Sequence, residues 1–245
     1  MRRFAVILFA SLSSLALRAD SLRVDSAGAG KVAYGNLGTT YPILQNLGKY
    51  SVMIWFKADA FTNTAVIFNR GATIKALTMT GTDGALDFAD NTHYTTNASF
   101  LVTGLWKCIG YTFNNGAPNT TKVIFYAGTS TSSIAQMTGN ALNDNAALKD
   151  DSSDGWTLGK FSAPAGIGSY GTAMISTGIW TLRDFQEQQF SPHVTSSTLL
   201  LSTLQGTGSA PLAYDYSGNG QNSTQINMLP SSDGPPIYIP DSVGW

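Results

Sequence analysis

The chain has 245 residues, only 12% of them charged, with a formal net charge of -1. That length is enough to bury a full core in one large all-β domain. The weak charge, with no clustered basic face, excludes the electrostatic footprint of duplex binding, so nucleic acid is not an expected partner.

Residues 1–19, MRRFAVILFASLSSLALRA, combine a basic start, a short apolar run and small residues near Ala16 and Ala19. This is the pattern of a cleaved export signal, and the apolar run is too short to span a membrane as a helix. The competing reading is that residues 15–24 already begin a first strand. No membrane span is expected once the signal is removed. Further along, short β-rich runs recur between turn residues: LRVDS near Leu22, KVAYG from Lys31, YSVMIWFKA from Tyr50, AVIFNRG from Ala65, TIKALTMT from Thr73 and ALDFAD from Ala85. ASFLVT from Ala98, WKCIGYTFN from Trp106, KVIFYAG from Lys122 and WTLGKF from Trp156 continue the series. Several alternate apolar and polar side chains, as Val52, Ile54 and Phe56 do against Met53, Trp55 and Lys57. This period of two predicts antiparallel sheets with two differently solvated faces, packed as a sandwich.

Residues 171–190, GTAMISTGIWTLRDFQEQQF, change the pattern, because an apolar strand runs straight into a helix-forming polar stretch from Arg183 to Gln189. From residue 206 onward Gly, Pro, Ser and Asn predominate, which predicts a loop-rich C-terminal segment. The expected organisation is therefore a signal at 1–19, a domain at 20–205 and this segment at 206–245. No repeat of 20 to 50 residues is evident, which argues against a propeller or solenoid. Cys108, the one cysteine, forms no internal disulfide and reads as a small buried strand residue. The three glycosylation sequons, at Asn97, Asn119 and Asn222, carry little weight in a chain so rich in Asn, Ser and Thr.

The order of these pieces resembles the laminin-G-like, concanavalin A-like lectin-glucanase jelly-roll superfamily across roughly residues 22–205. YSVMIWFKAD is similar to the family's early core strand, Asn69-Arg70-Gly71 to its turn after a strand, and WKCIGYTFNNG to its Trp-His strand and following turn. KVIFYAGT and WTLGKF stand for two later strands, and residues 171–190 for the closing signature. In that signature Ser176 and Thr177 replace the family's acidic pair, and Lys107 replaces the His after Trp106. DYSGNG, residues 215–220, resembles a D-x-S-G-N-G phrase found beside such domains. The resemblance implies an all-β fold, a two-sheet antiparallel jelly-roll sandwich with one short helix and a loop-rich C-terminal tail.

The same resemblance includes glycoside hydrolases, which need two close carboxylates. Glu187 is the only Glu, the strand motif E-x-D-x-x-E is absent, and Asp87 with Asp90 is the only close acidic pair flanking a strand. A lyase would need a base and acid such as His93 and Tyr94, adjacent in NTHYTT, which could serve one substrate only from a loop. The loops at 90–97, with Asn91, His93 and Tyr94, and at 114–119, with Asn114 and Asn115, are instead candidate ligand-binding segments, since loops on a rigid sandwich carry recognition. Trp55, Trp106 and Trp180 read as packing residues rather than sugar platforms. Asp150, Ser152 and Asp154 precede Gly155 with the alternate spacing of half a calcium loop, and calcium is the cofactor they would take; the alternative is a solvated turn. The functional expectation is a non-catalytic, exported domain recognising a glycan or a cell-surface protein. A structural component of a virus particle or surface appendage is the alternative, and a polysaccharide lyase or hydrolase ranks third.

Overall fold

The computed structural model describes residues 21–24, 31–34, 46–61, 65–70, 74–80, 83–90, 92–96, 100–140, 156–159, 167–202, 215–219, 223–226, 229–231 and 233–237. In chain order the strands are β1 (Ser21–Val24), β2 (Lys31–Tyr34), β3 (Lys49–Ala58), β4 (Ala65–Arg70), β5 (Ile74–Thr80), β6 (Ala85–Asp90), β7 (Thr92–Thr96) and β8 (Trp106–Asn114). They continue as β9 (Val123–Thr129), β10 (Ala135–Gln136), β11 (Gly139–Asn140), β12 (Trp156–Gly159), β13 (Gly168–Thr177), β14 (Thr198–Ser202), β15 (Ser223–Ile226) and β16 (Leu229–Ser231), with helix α1 (Leu182–Phe190) between β13 and β14. Among the described residues they form two eight-stranded antiparallel sheets. One runs β10-β9-β8-β3-β13-β1-β16, with β14 sharing an edge of β13; the other runs β11-β7-β6-β5-β4-β12-β2-β15. The architecture is the all-β jelly-roll sandwich that the strand pattern predicts. The loop-rich C-terminal segment supplies β15 and β16 to it, one to each sheet.

The core lies between the sheets, where Val52, Ile54 and Phe56 from β3 meet Ile109, Tyr111 and Phe113 from β8 and Phe68, Phe88 and Trp156 from the facing sheet. The expectation of differently solvated faces does not hold for the first sheet. Met53 and Trp55, on the other face of β3, are buried in a second cluster with Cys108, Met174 and Phe185, because α1 lies across that face. Apolar side chains on both faces of β3 follow from this double coverage.

Glycines set how close the covering layer comes. A Cβ at Gly110 would stand 2.6 Å from the Phe185 ring, and one at Gly171 would stand 2.6 Å from Pro235 of the C-terminal segment. Strand glycines here mark close approach by another element. Gln189 locks the helix down: its Nε2 donates to Thr129 O (3.0 Å) and Ser132 O (2.9 Å), and its Oε1 accepts from Ile134 N (2.7 Å). Its own carbonyl accepts from Trp55 Nε1 at 2.9 Å. The C-terminal segment is held separately, with Asp233 paired to Lys57 and accepting from Trp106 Nε1 at 3.1 Å.

Two local expectations are corrected. Of residues 98–103, expected as a strand, the described residues 100–103 lead into a turn instead, with Leu101 buried while Val102 and the following Leu105 are exposed. Gly104 at φ +77° and its N–H bonded to Ala58 O fix that turn, so extended pairing stops before β8. Conversely, Thr92–Thr96, expected as a loop, is strand β7, paired to β6 with His93 opposite Ala89 and Tyr94 opposite Phe88. The export signal at 1–19 lies outside the described residues. Among the described residues, no helix is long and apolar enough to cross a membrane.

Candidate functional site

Residues 171–190 build one wall of a cleft. Strand β13 ends at Thr177, Gly178 turns the chain at φ +87°, and Thr181 starts α1 with a capping box: its Oγ1 accepts from Asp184 N (3.3 Å) while Asp184 Oδ2 accepts from Thr181 N (2.6 Å). Reciprocal satisfaction of two end donors fixes both the helix start and the Asp184 carboxylate. Ser51 on β3 pins the same turn from below, donating to Gly178 O (2.9 Å) and accepting from Trp180 N (2.8 Å).

The opposite wall comes from the turn between α1 and β14. Ser176 Oγ lies 2.8 Å from Ser197 Oγ, which lies 3.0 Å from Thr195 Oγ1, and Thr195 N donates to Thr198 Oγ1 at 2.8 Å. The Ser176 and Thr177 hydroxyls thus bind β13 to this turn. Between the walls is a cleft of about 300 Å³ lined by Thr177, Ile179, Trp180, Asp184, Glu187 and Gln188, with His193, Thr195 and Ser197 across from the helix.

The titratable groups here are tied to the framework. A carbonyl can only accept, so at 3.0 Å from Ser191 O the proton of His193 sits on Nδ1, and Nε2 accepts from Gln188 Nε2 at 3.2 Å. Gln188 Oε1 in turn accepts from His193 N at 2.8 Å. Both ring nitrogens therefore bond to the framework of the cleft. Glu187 Oε1 accepts from Arg183 Nε at 2.8 Å, one turn back on the helix. Asp184 and Glu187 both stand on α1, and the facing lining residues carry hydroxyls and an imidazole rather than a carboxylate. A hydrolase's two carboxyls must flank one bond from both sides, and this arrangement does not provide them.

The Asn114 side chain accepts from Gly116 N at 3.2 Å and closes its own turn, and Asn115 N donates to Gly48 O at 2.9 Å. Through β3 this turn shares an end of the sandwich with the cleft, since Lys49 pairs with Asn114 and Tyr50 with Thr177. The far sheet brings more to that end: Tyr50 packs edge-on to Trp156 at 5.5 Å, and Phe113 stands 5.7 Å from Phe88, near the junction of β6 and β7. His93 and Tyr94 are adjacent in β7, so their positions belong to opposite faces and do not form the acid–base pair a loop would allow. Asp87 and Asp90, three apart in β6, alternate likewise, and Asp87 is buried. Asn91 and the calcium-type residues Asp150, Ser152 and Asp154 lie outside the described residues; β12, which the latter lead into, begins at Trp156. Among the described residues, no three His, Cys, Asp or Glu gather as a metal site would require.

Sequence reasoning placed Glu187 on the helix surface and passed over Asp184, His193, Thr195 and Ser197. The capping spacing Thr181-x-x-Asp184 and the hydroxyl-rich run after the helix were the available signals. DYSGNG has a structural role: Asp215 Oδ1 accepts from Leu201 N (3.2 Å) and Asn219 Nδ2 donates to Thr198 O (3.1 Å), covering the open edge of β14.

With this geometry the fold is that of a two-sheet, jelly-roll-like β-sandwich. No family model matches the chain, and no curated protein matches it. Among solved structures it is similar to a proposed carbohydrate-binding protein from Bacteroides ovatus ATCC 8483, with a TM-score of 0.62 and 16% identity over 90% of this chain. The chain spans 62% of that protein's length. It is also similar to the native heptameric SAP-like pentraxin from Limulus polyphemus, with a TM-score of 0.50 and 10% identity over 88% of this chain and 95% of that one. At these identities the likeness is one of fold.

Proposed function

We propose that this chain is a non-catalytic recognition domain of the laminin-G-like kind, exported through residues 1–19, that binds a glycan or a glycan-bearing cell-surface protein. One observation carries the reading. The cleft between β13, α1 and β14, the Asn114 turn and the C-terminal end of β6 share one end of the sandwich. Loops gathered at one end of a rigid scaffold are the usual recognition surface of sandwich folds. In this reading Asn91, His93, Tyr94, Asn114 and Asn115 contribute to ligand binding, and Asp150, Ser152 and Asp154 are the residues that would take calcium. The carbohydrate-binding description of the Bacteroides ovatus relative in fold supports the choice of ligand class.

The test is a glycan array and a cell-binding assay with the soluble full chain, with and without calcium. Saturable binding to a defined set of glycans or to intact cells is expected. A folded protein that binds neither would overturn the proposal.

A further inference from the structure

We propose that the cleft between α1 and the turn into β14 takes a single, neutral, terminal sugar residue, bound end-on rather than as part of a chain lying along a sheet. This rests on the recognition reading above and specifies its ligand.

Size and position argue first. At about 300 Å³ the cleft is at the bottom of the range of about 300–1,000 Å³ that small-molecule sites span. It accommodates one ring rather than a run of them. A long polysaccharide needs an open face, and the outer face of the first sheet does not offer one. The outer face of the first sheet is filled by α1 and by Pro235 and Ile237. On the second, Val66, Asn69, Asp87 and Thr157 are buried.

Chemistry argues next. Each helix carboxylate has one oxygen in a structural bond, Asp184 Oδ2 to Thr181 and Glu187 Oε1 to Arg183. Asp184 Oδ1 and Glu187 Oε2 have no hydrogen bond among the described residues, so two charged acceptors stand ready for ligand hydroxyls. Thr177, Thr195 and Ser197 face them with groups that donate and accept. Such a lining favours a ligand rich in hydroxyl donors and repels a carboxylate or sulfate. An apolar lip completes it, formed by Ile179, 40% exposed, beside Trp180, 7% exposed. Sugar rings carry a C–H face suited to such a lip and hydroxyls suited to the acceptors.

The experiment uses the full chain and calorimetric or NMR titration with a ligand series built on a sugar found by array. The series comprises the methyl monoglycoside, oligomers of two to six residues with that sugar at the non-reducing end, and the matching uronic acid. The expected result is affinity within about twofold across the neutral series, with the uronic acid at least tenfold weaker. Glu187→Ala and Thr195→Val should each weaken binding about tenfold, equivalent to ~1.4 kcal/mol, while keeping the native circular dichroism spectrum. Affinity rising tenfold or more with chain length, preference for the uronic acid, or full binding by both variants would overturn the end-on site while leaving glycan recognition standing. Binding of no glycan at all would defeat the broader reading together with this one.

Discussion

Replacing Gln189 by leucine tests whether α1 is bolted to the sheet through one side chain. The substitution preserves approximate volume and removes two donated bonds and one accepted bond, at 3.0, 2.9 and 2.7 Å. A neutral hydrogen bond contributes about 1 kcal/mol net, which sets an upper figure of roughly 3 kcal/mol. Thr129 and Ser132 lie near solvent, so water partly replaces the lost partner at their carbonyls; Ile134 is buried, and its N–H has no such substitute. The expected cost is therefore about 2–3 kcal/mol, and at 2–4 °C per kcal/mol for a domain this size the melting temperature falls by roughly 4–12 °C. Urea unfolding followed by tryptophan fluorescence measures it, with the midpoint moving and the slope unchanged. Gln186→Ala, which removes one part-buried bond of 3.2 Å to Ile134 O, is the control and should cost at most about 0.5 kcal/mol. A Gln189→Leu variant within 0.5 kcal/mol of the parent would refute the reasoning, because buried backbone groups would then be losing their partner at no cost.

Other expectations follow from the same layer. Gly110→Ala would set a Cβ 2.6 Å from Phe185, whose ring is already packed on Tyr126 at 4.4 Å; overpacking of about 1–3 kcal/mol should outweigh the ~0.4–1 kcal/mol gained from a stiffer unfolded chain, giving a net loss by denaturant melting. Thr181→Ala removes the capping box at the cleft wall and should cost about 1 kcal/mol, read as a lower unfolding midpoint and faster amide exchange in the first turn of α1. Burial pushes the Cys108 thiol well above its usual range, so native protein should leave a thiol reagent unreacted at pH 8 while urea-unfolded protein reacts fully. Because the folded-state value is the raised one, this thiol's contribution to stability is complete below the ordinary cysteine range near pH 8.5 and is lost as pH rises above it; a Cys108→Ala variant should show a shallower alkaline loss of stability.

Much of the architecture was legible because strand chemistry is local. Alternation in β3 and β8 and turn residues between runs specified two antiparallel sheets, and the polar stretch after β13 specified the helix. Thr92–Thr96 was not legible, because THYTT is polar enough to read as a loop and becomes a strand through pairing with β6. Residues 100–103 of the expected strand at 98–103 failed in the opposite sense, since an apolar run with Gly104 behind it was diverted by long-range bonds from Leu101 N to Gly84 O and from Gly104 N to Ala58 O.

The sequence by itself determined the all-β class, the position of the single described α-helix and the near-absence of Glu, because these depend on residue types and on periodicities of two and 3.6. Tertiary structure decided that Met53 and Trp55 are doubly buried, that Ser176 and Ser197 meet, and that Asp184, Glu187 and His193 face one cleft. Those outcomes depend on where α1 lies over the sheet, and that placement is fixed by Gly110 leaving room for Phe185 and by Gln189 reaching the β9–β10 turn. Contacts between residues 50 or more positions apart leave no local period in the chain, so only the folded packing reveals them.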